Sequence, residues 1–139
     1  MQSIILCFVL YATDGDTLKV DCDGKRENVR VAQIDAPEKK QPHGLLSSIA
    51  LNSICSNDYA RIEPIKRDKY GRMLANVKCG LHHKHDVASY MVQYGHAWPY
   101  MTNDYKLQYQ AIIAKNKRIG LWGYTEKPIE PSQWRKGVR

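Results

Sequence analysis

The sequence predicts an α+β fold, a five-stranded OB-type Greek-key β-barrel carrying three helices. Three observations point there. Five short runs are rich in β-branched residues, Asp23-Gly24 supplies a tight hairpin turn between the second and third, and helical periodicity enters only after three strands have passed. Strands grouped in this way, with helices inserted late, suit a small barrel and not a βαβ sheet.

The elements follow in order. Strands are expected over 3–12, 17–22 and 26–34. Leu45, Leu46, Ile49, Ala50 and Ile54 then recur at helical spacing, which predicts a helix over 45–55 with that face buried. Strands over 60–66 and 73–78 form a second hairpin about the charged turn Asp68-Lys69-Tyr70-Gly71. A helix over 86–94 starts on Asp86, buries Val87, Ala88 and Met91, and meets a left-handed cap at Gly95. A third helix, over 105–119, is expected to stop at Gly120 in the same way. Beyond Gly123 the tail, with Pro128 and Pro131, reads as irregular, with Trp122 and Trp134 as anchors.

Length and charge bound the function. At 139 residues, 43% hydrophobic and 25% charged, the chain has room for one domain, expected over 1–139. Twenty-one basic against fourteen acidic residues give a net charge of +7, which favours polyanions such as nucleic acid or anionic lipid. From Tyr105 to Arg139 stand eight basic residues (Lys106, Lys115, Lys117, Arg118, Lys127, Arg135, Lys136, Arg139) against Glu126 and Glu130, a balance of +6. That end either attracts phosphate or is a solvated face. The apolar run from Ile4 to Leu10 has no Lys or Arg before it, so it reads as a first strand and not as a signal-peptide core. No run reaches the roughly 20 apolar residues that span a bilayer, and no membrane partner is expected. Cys7, Cys22, Cys55 and Cys79 match no zinc spacing. Cys22 and Cys79 each stand shortly before a turn glycine and can pair with each other. His82, His83 and His85 fit a polar loop before a helix better than a transition-metal site.

Three clusters carry the chemistry: Asp14-Gly15-Asp16-Thr17, the run from Arg30 to Glu38, and Asp68-Lys69-Tyr70-Gly71-Arg72. Folding the first hairpin about Asp23-Gly24 pairs Cys22 with Lys25 and Thr17 with Arg30, so Asp16 and Arg30 meet at its open end. Strict alternation puts their side chains on opposite faces, and a bulge or twist is required to bring them together. Pro37 holds Ala36 extended and fixes how Asp35 and Glu38 are presented. Asp16, Asp35 and the Ala36 carbonyl then make a hard oxygen site suited to Ca²⁺, which takes six to eight oxygen ligands in irregular geometry. Each cluster has a plainer reading. Asp-Gly-Asp-Thr is a common turn, Asp35-x-x-Glu38 fits a helix N-cap with its reciprocal Glu, and Tyr-Gly-Arg fits a hairpin end. Their conjunction, in one order, favours a site.

In that order the sequence resembles the staphylococcal nuclease, or thermonuclease, family. The matching stretches are 13–18, 30–38, 68–72, Gly95-His96-Ala97-Trp98 and Gly120-Leu121-Trp122. The resemblance implies Asp16 and Asp35 as calcium ligands with the Ala36 carbonyl, Asp14 in the outer shell, and Glu38 as general base. It implies Arg30 and Arg72 as phosphate clamps, with Tyr70, Tyr100 and Lys69 on the nucleotide. Ala36 stands where the best-known member has Thr, and 39–44 is shorter than that member's flexible basic loop. The implied activity is calcium-dependent hydrolysis of DNA and RNA by in-line attack of water, leaving 3′-phosphate ends. The implied protein is a monomer; the sequence leaves its location open, with the resemblance slightly favouring a secreted or periplasmic one.

Two other classes compete. A noncatalytic OB-type module that binds single-stranded nucleic acid or a peptide needs basic and aromatic surface, but carboxylates repel phosphate unless a metal lies between them. A membrane-surface protein needs a basic amphipathic helix with an aromatic apolar face, which this sequence lacks. Trp98 reads as a buried anchor before a base-stacking ring, and Tyr100, Tyr105 and Tyr109 as packing before a stacking platform.

Overall fold

Why the chain closes into a barrel is visible in its strand pairs. The computed structural model describes residues 3–139; the first two residues of the expected domain lie outside it. Strands β1 (Ile5–Asp14), β2 (Thr17–Cys22) and β3 (Lys25–Val31) form an antiparallel meander, and β2 pairs with β3 as counted from Asp23-Gly24, Cys22 with Lys25 and Thr17 with Arg30. One short strand and a helix follow a turn: β4 (Ile34–Asp35) and α1 (Gly44–Cys55). Then β5 (Tyr59–Arg67) pairs antiparallel with β1, and β6 (Met73–Cys79) with β5. Finally β6 runs parallel to β3, Val29 beside Met73 and Val31 beside Ala75. The five long strands are thereby closed in the order β1-β2-β3-β6-β5-β1, the Greek-key order of an OB barrel. Two further two-residue strands, β7 (His85–Asp86) and β8 (Trp98–Pro99), extend β6 and pair with β4.

Inside sit Val9, Leu18, Val20, Val29, Ile62 and Met91, each fully buried. A buried aliphatic side chain of this size contributes about 1.5–3 kcal/mol, so alternation along β2 and β3 fixes which strand face turns inward. Among the described residues no helix is long and apolar enough to cross a membrane.

Helix α1 buries a different face from the one its leucines predict. Gly44, Ser47, Ser48, Leu51 and Cys55 face the barrel, whereas Leu45, Leu46 and Ile49 are about half exposed. Small residues win because they let the helix approach closely, and the serines satisfy themselves, Ser47 Oγ donating to His96 O at 2.8 Å and Ser48 Oγ to Leu45 O at 2.7 Å. Its N-cap is His43, without a side-chain cap bond, so neither Asp35 nor Glu38 caps it.

Helix α2 (Val87–Gln93) starts on Asp86, whose side chain accepts from Ser89 N, and is followed by Gly95 at φ 70°. Helix α3 (Tyr105–Asn116) stops three residues before the predicted end. Arg118, not Gly120, takes the left-handed position, at φ 55°. Gly120 instead lies against Gly95: a Cβ on Gly95 would stand 2.2 Å from Ile119 O, and one on Gly120 2.3 Å from Gly95 O. The backbone bond from Leu121 N to Gly95 O, 2.7 Å, passes through this contact and sets the edge of Trp98 on Trp122. Tyr105 and Tyr109 are largely exposed and do not pack as expected. Nor is the tail irregular throughout, for α4 (Leu121–Tyr124) and α5 (Pro131–Arg135) bring the α-helices among the described residues to five where three are expected, Pro131 opening α5.

The expected pairing of Cys22 with Cys79 is replaced by Cys7–Cys22 and Cys55–Cys79. The barrel order explains it. Strand β1 lies between β2 and β5, and the register that sets Phe8 beside Asp21 brings Cys7 to Cys22, while the end of α1 delivers Cys55 to the end of β6. Bridges closing 15 and 24 residues each contribute roughly 3 kcal/mol through the unfolded chain. We expect no free thiol in the unreduced, denatured protein, disulfide-linked peptides containing 7–22 and 55–79, and a clear drop in melting temperature with reductant. A peptide joining Cys22 to Cys79 contradicts this fold.

Candidate active site

One end of the barrel gathers the carboxylates. The turn between β1 and β2 carries Asp14 and Asp16, with Asp16 N donating to Asp14 Oδ1 at 3.2 Å. Gly15 is required between them, because a Cβ there would stand 2.7 Å from the Cβ atoms of both Ala36 and Ser47. Asp16, 6% exposed, is held on both oxygens: Thr17 Oγ1 donates to Oδ1 at 2.9 Å and Ala36 N to Oδ2 at 2.8 Å. The β1–β2 turn is thereby tied to the segment carrying Asp35, Ala36 and Glu38.

Arg30 reaches both acids without a bulge in β3. The β2–β3 register is regular to its last pair, and beyond Val31 the chain turns through Gln33 at φ 73°. The guanidinium folds over the strand end, Nη1 donating to Val31 O at 2.6 Å and Ile34 O at 2.7 Å. Its Nη2 donates to Asp35 Oδ1 at 3.3 Å and lies 3.6 Å from Asp16 Oδ2. Length of side chain, not a change of strand face, unites Asp16 and Arg30. Glu38 opens a tight turn in which Gln41 N donates to Glu38 O and Glu38 N to Gln41 Oε1. The turn leaves its carboxylate at the mouth of the site.

A residue that sequence reasoning left unplaced completes the cluster. Arg135, in α5, donates from Nη1 to Glu38 Oε1 at 2.7 Å and from Nη2 to Asp35 Oδ2 at 3.1 Å. Its only signal in the sequence was membership of the basic tail. Gln41 Nε2 bonds Ile129 O and pins the tail against the Glu38 turn.

Arg72, Lys69 and Tyr70 form a separate group at the β5–β6 turn. Asp68 accepts from Arg72 Nε at 2.7 Å, and the Lys69 ammonium and Arg72 guanidinium lie 5.2 and 5.3 Å from the Tyr70 ring centre. Strand closure sets this group beside β3. Tyr100 is exposed and joins the site only through its backbone, N donating to Gln33 O at 2.9 Å.

Packing acids together shifts their titration. Burial, then the charge of Asp16, push Asp14 up to about 7. Asp35 is also raised, by burial first, against the opposing hydrogen bond of Arg135, with Asp16 adding to the rise. Among the described residues no three Asp, Glu, His or Cys side chains converge as a ready metal cage.

The family profile described as staphylococcal nuclease homologue matches residues 28–124, most of the chain. The chain belongs to the staphylococcal nuclease family. It is 39% identical over 134 residues to an uncharacterized endonuclease of Haemophilus influenzae, covering 94% of this chain and 72% of that one. A micrococcal nuclease of Shigella flexneri is 30% identical over 141 residues, covering 94% and 80%. An uncharacterized endonuclease of Escherichia coli O157:H7 is 34% identical over 131 residues, covering 91% and 82%. Nuclease function goes with this membership. Helix α5 lies beyond the matched stretch.

Asp14 gives a pH prediction. Its folded pKa lies above the unfolded 3.8, so the fold favours the protonated acid, and stability falls as pH rises from about 4 to about 7. In chelator, Asp14→Asn should melt with the parent near pH 4 and several degrees above it at pH 8. Equal melting at pH 8 would show that Asp14 bears no such cost.

Proposed function

We propose that this nuclease is a Ca²⁺-dependent endonuclease that hydrolyses phosphodiester bonds of DNA and RNA by in-line attack of water and leaves 3′-phosphate ends. The observation that carries the reading is the gathering of Asp16 and Asp35 around Arg30 at one barrel end, with Arg135 joining Asp35 to Glu38 beside them. A module that only binds nucleic acid has no use for buried acids where phosphate must lie.

The donor set fits the ion. Two carboxylates and a carbonyl are hard oxygen ligands, too few to form a closed cage, and Ca²⁺ completes its shell with water and phosphate oxygen. Asp16, Asp35 and the Ala36 carbonyl would hold it, and when bound it supplies positive charge against the phosphate. The chain's own residues do the rest. Arg135 engages Glu38 Oε1, so Oε2 takes the proton from the attacking water. Arg72 offers the planar fork that matches two phosphate oxygens, while Arg30, with Nη1 committed to two carbonyls, meets the phosphate through Nη2. Charge building on the phosphoryl oxygens during displacement is met by these donors, and the bond to the 5′ oxygen breaks. Tyr70, Lys69 and Tyr100 contact the nucleotide from the exposed rim.

Incubation with single-stranded DNA and RNA, in Ca²⁺ or in chelator, tests the whole reading. Cleavage should require millimolar Ca²⁺, leave 3′-phosphate ends and fail with Asp16→Ala or Asp35→Ala; full cleavage in chelator ends it.

Glu38 has its own test. Since α1 is capped elsewhere, Glu38→Gln should lower turnover by roughly 10² or more while the melting temperature and calcium-dependent nucleotide binding stay near the parent's. Initial rates equal to the parent's would remove Glu38 from the mechanism.

A further inference from the structure

Beside Glu38 the tail and the barrel enclose a cavity of about 270 Å³, and Pro37 is part of its wall. Its other walls include Trp98, Leu121, Pro128 and Trp134, so the lining is largely apolar and aromatic. It falls just below the roughly 300–1,000 Å³ of pockets that hold drug-sized ligands, a size that fits a ring system. None of its lining residues is acidic, although the carboxylate cluster begins one residue away at Glu38, and Lys127 and Arg139 are basic. The Arg139 guanidinium lies over the Trp134 ring, 3.6 Å from its centre, which makes a stacked planar wall. Lys127 brings an ammonium donor to the lining, which suits a ligand with carbonyl oxygens on a flat ring.

We propose that the segment from Thr125 to Arg139 forms, with Pro37 and Trp98, a nucleoside subsite that takes the base adjoining the scissile phosphate. This rests on the nuclease reading. The occupant follows from position as well as chemistry. A polynucleotide whose phosphate lies at Glu38 and Asp35 brings a flanking base to within a residue's reach of Pro37, and a nucleobase has the flat faces and ring carbonyls that the walls suit. Arg135, its side chain 45% exposed where it meets Glu38 and Asp35, neighbours the wall residue Trp134 in sequence and can meet the linking phosphate. Bases stack on aromatic rings and guanidinium planes regardless of identity, so the subsite favours nucleotides over abasic diesters without reading sequence.

A dinucleotide with one phosphodiester fixes the register. Its affinity for the full chain carrying Glu38→Gln is measured by calorimetry in Ca²⁺, together with two relatives in each of which one base is replaced by hydrogen. Trp134→Ala should weaken the dinucleotide on the order of 10-fold. One abasic relative should show a similar loss, and combining the two should cost no more than either alone, the signature of a direct contact. Trp134→Phe should recover most of the affinity. Losses that multiply, or a Trp134→Ala chain that binds like its parent, overturn the subsite while leaving the nuclease reading intact. Failure of the dinucleotide to bind any variant overturns both. If Trp134→Ala disturbs folding, Arg139→Ala at the exposed chain end carries the same cycle with a smaller expected loss.

Discussion

Three parallel residue pairs between β3 and β6 close the barrel, and the site is built on that closure. Without them β3 would be an open edge, and the chain leaving it would have no fixed course. With Val31 set beside Ala75, Ala32 N donates to Ala75 O at 2.8 Å, and the backbone can turn at Gln33 into β4. There Asp35 pairs with Trp98, so a carboxylate and an aromatic wall are positioned by one bridge. Closure also sets the two sequence-predicted arginines on or beside neighbouring strands. Arg72 precedes Met73, the partner of Val29, and so stands about two residues along from the level of Arg30 on the neighbouring strand.

Charge is the second constraint, and it opposes stability. Asp14, Asp16, Asp35 and Glu38 share a small volume, and burial first, then the charge of Asp16, push Asp14 up to about 7. Perturbed acids of this kind cluster where chemistry is done. Two cations offset them in different ways. The Arg30 side chain is 12% exposed and wired to two carbonyls, so it is a fixed counter-ion. The Arg135 side chain is 45% exposed on a five-residue helix and has room to exchange partners when other charges arrive.

What the sequence made legible divides along the same lines. Hairpin register could be counted from Asp23-Gly24 because turn chemistry is local. The acids and Arg30 followed from that register and the resemblance. The face of α1 was misread because hydrophobicity stood in for fit: leucines mark a buried face only when the neighbour leaves room, and here Gly44, Ser47 and Ser48 allow an approach that Leu45 and Ile49 would block. Cysteine pairing and the Gly95–Gly120 contact depend on which elements become neighbours, and no window of sequence holds that information. Arg135 lies a hundred positions from Asp35, so only the folded tail reveals the contact.

That tail changes what the barrel has to do. A barrel end that concentrates carboxylates is well made for holding a hard cation and taking a proton, and poorly made for attracting a polyanion. The opposing need is met from elsewhere in the chain, by a segment that carries excess positive charge and folds back over the acids. Gln41 ties the two together, accepting from Glu38 N and donating to Ile129 O, so the turn that presents the acid is the same turn that seats the tail. Within 125–139 only Arg135 pairs with the acids, so the other basic residues of that segment can vary with little strain on the barrel end. Variation among the acids, by contrast, disturbs the bonds donated by Ala36 N to Asp16 and by Arg30 to Asp35 that hold the barrel end together.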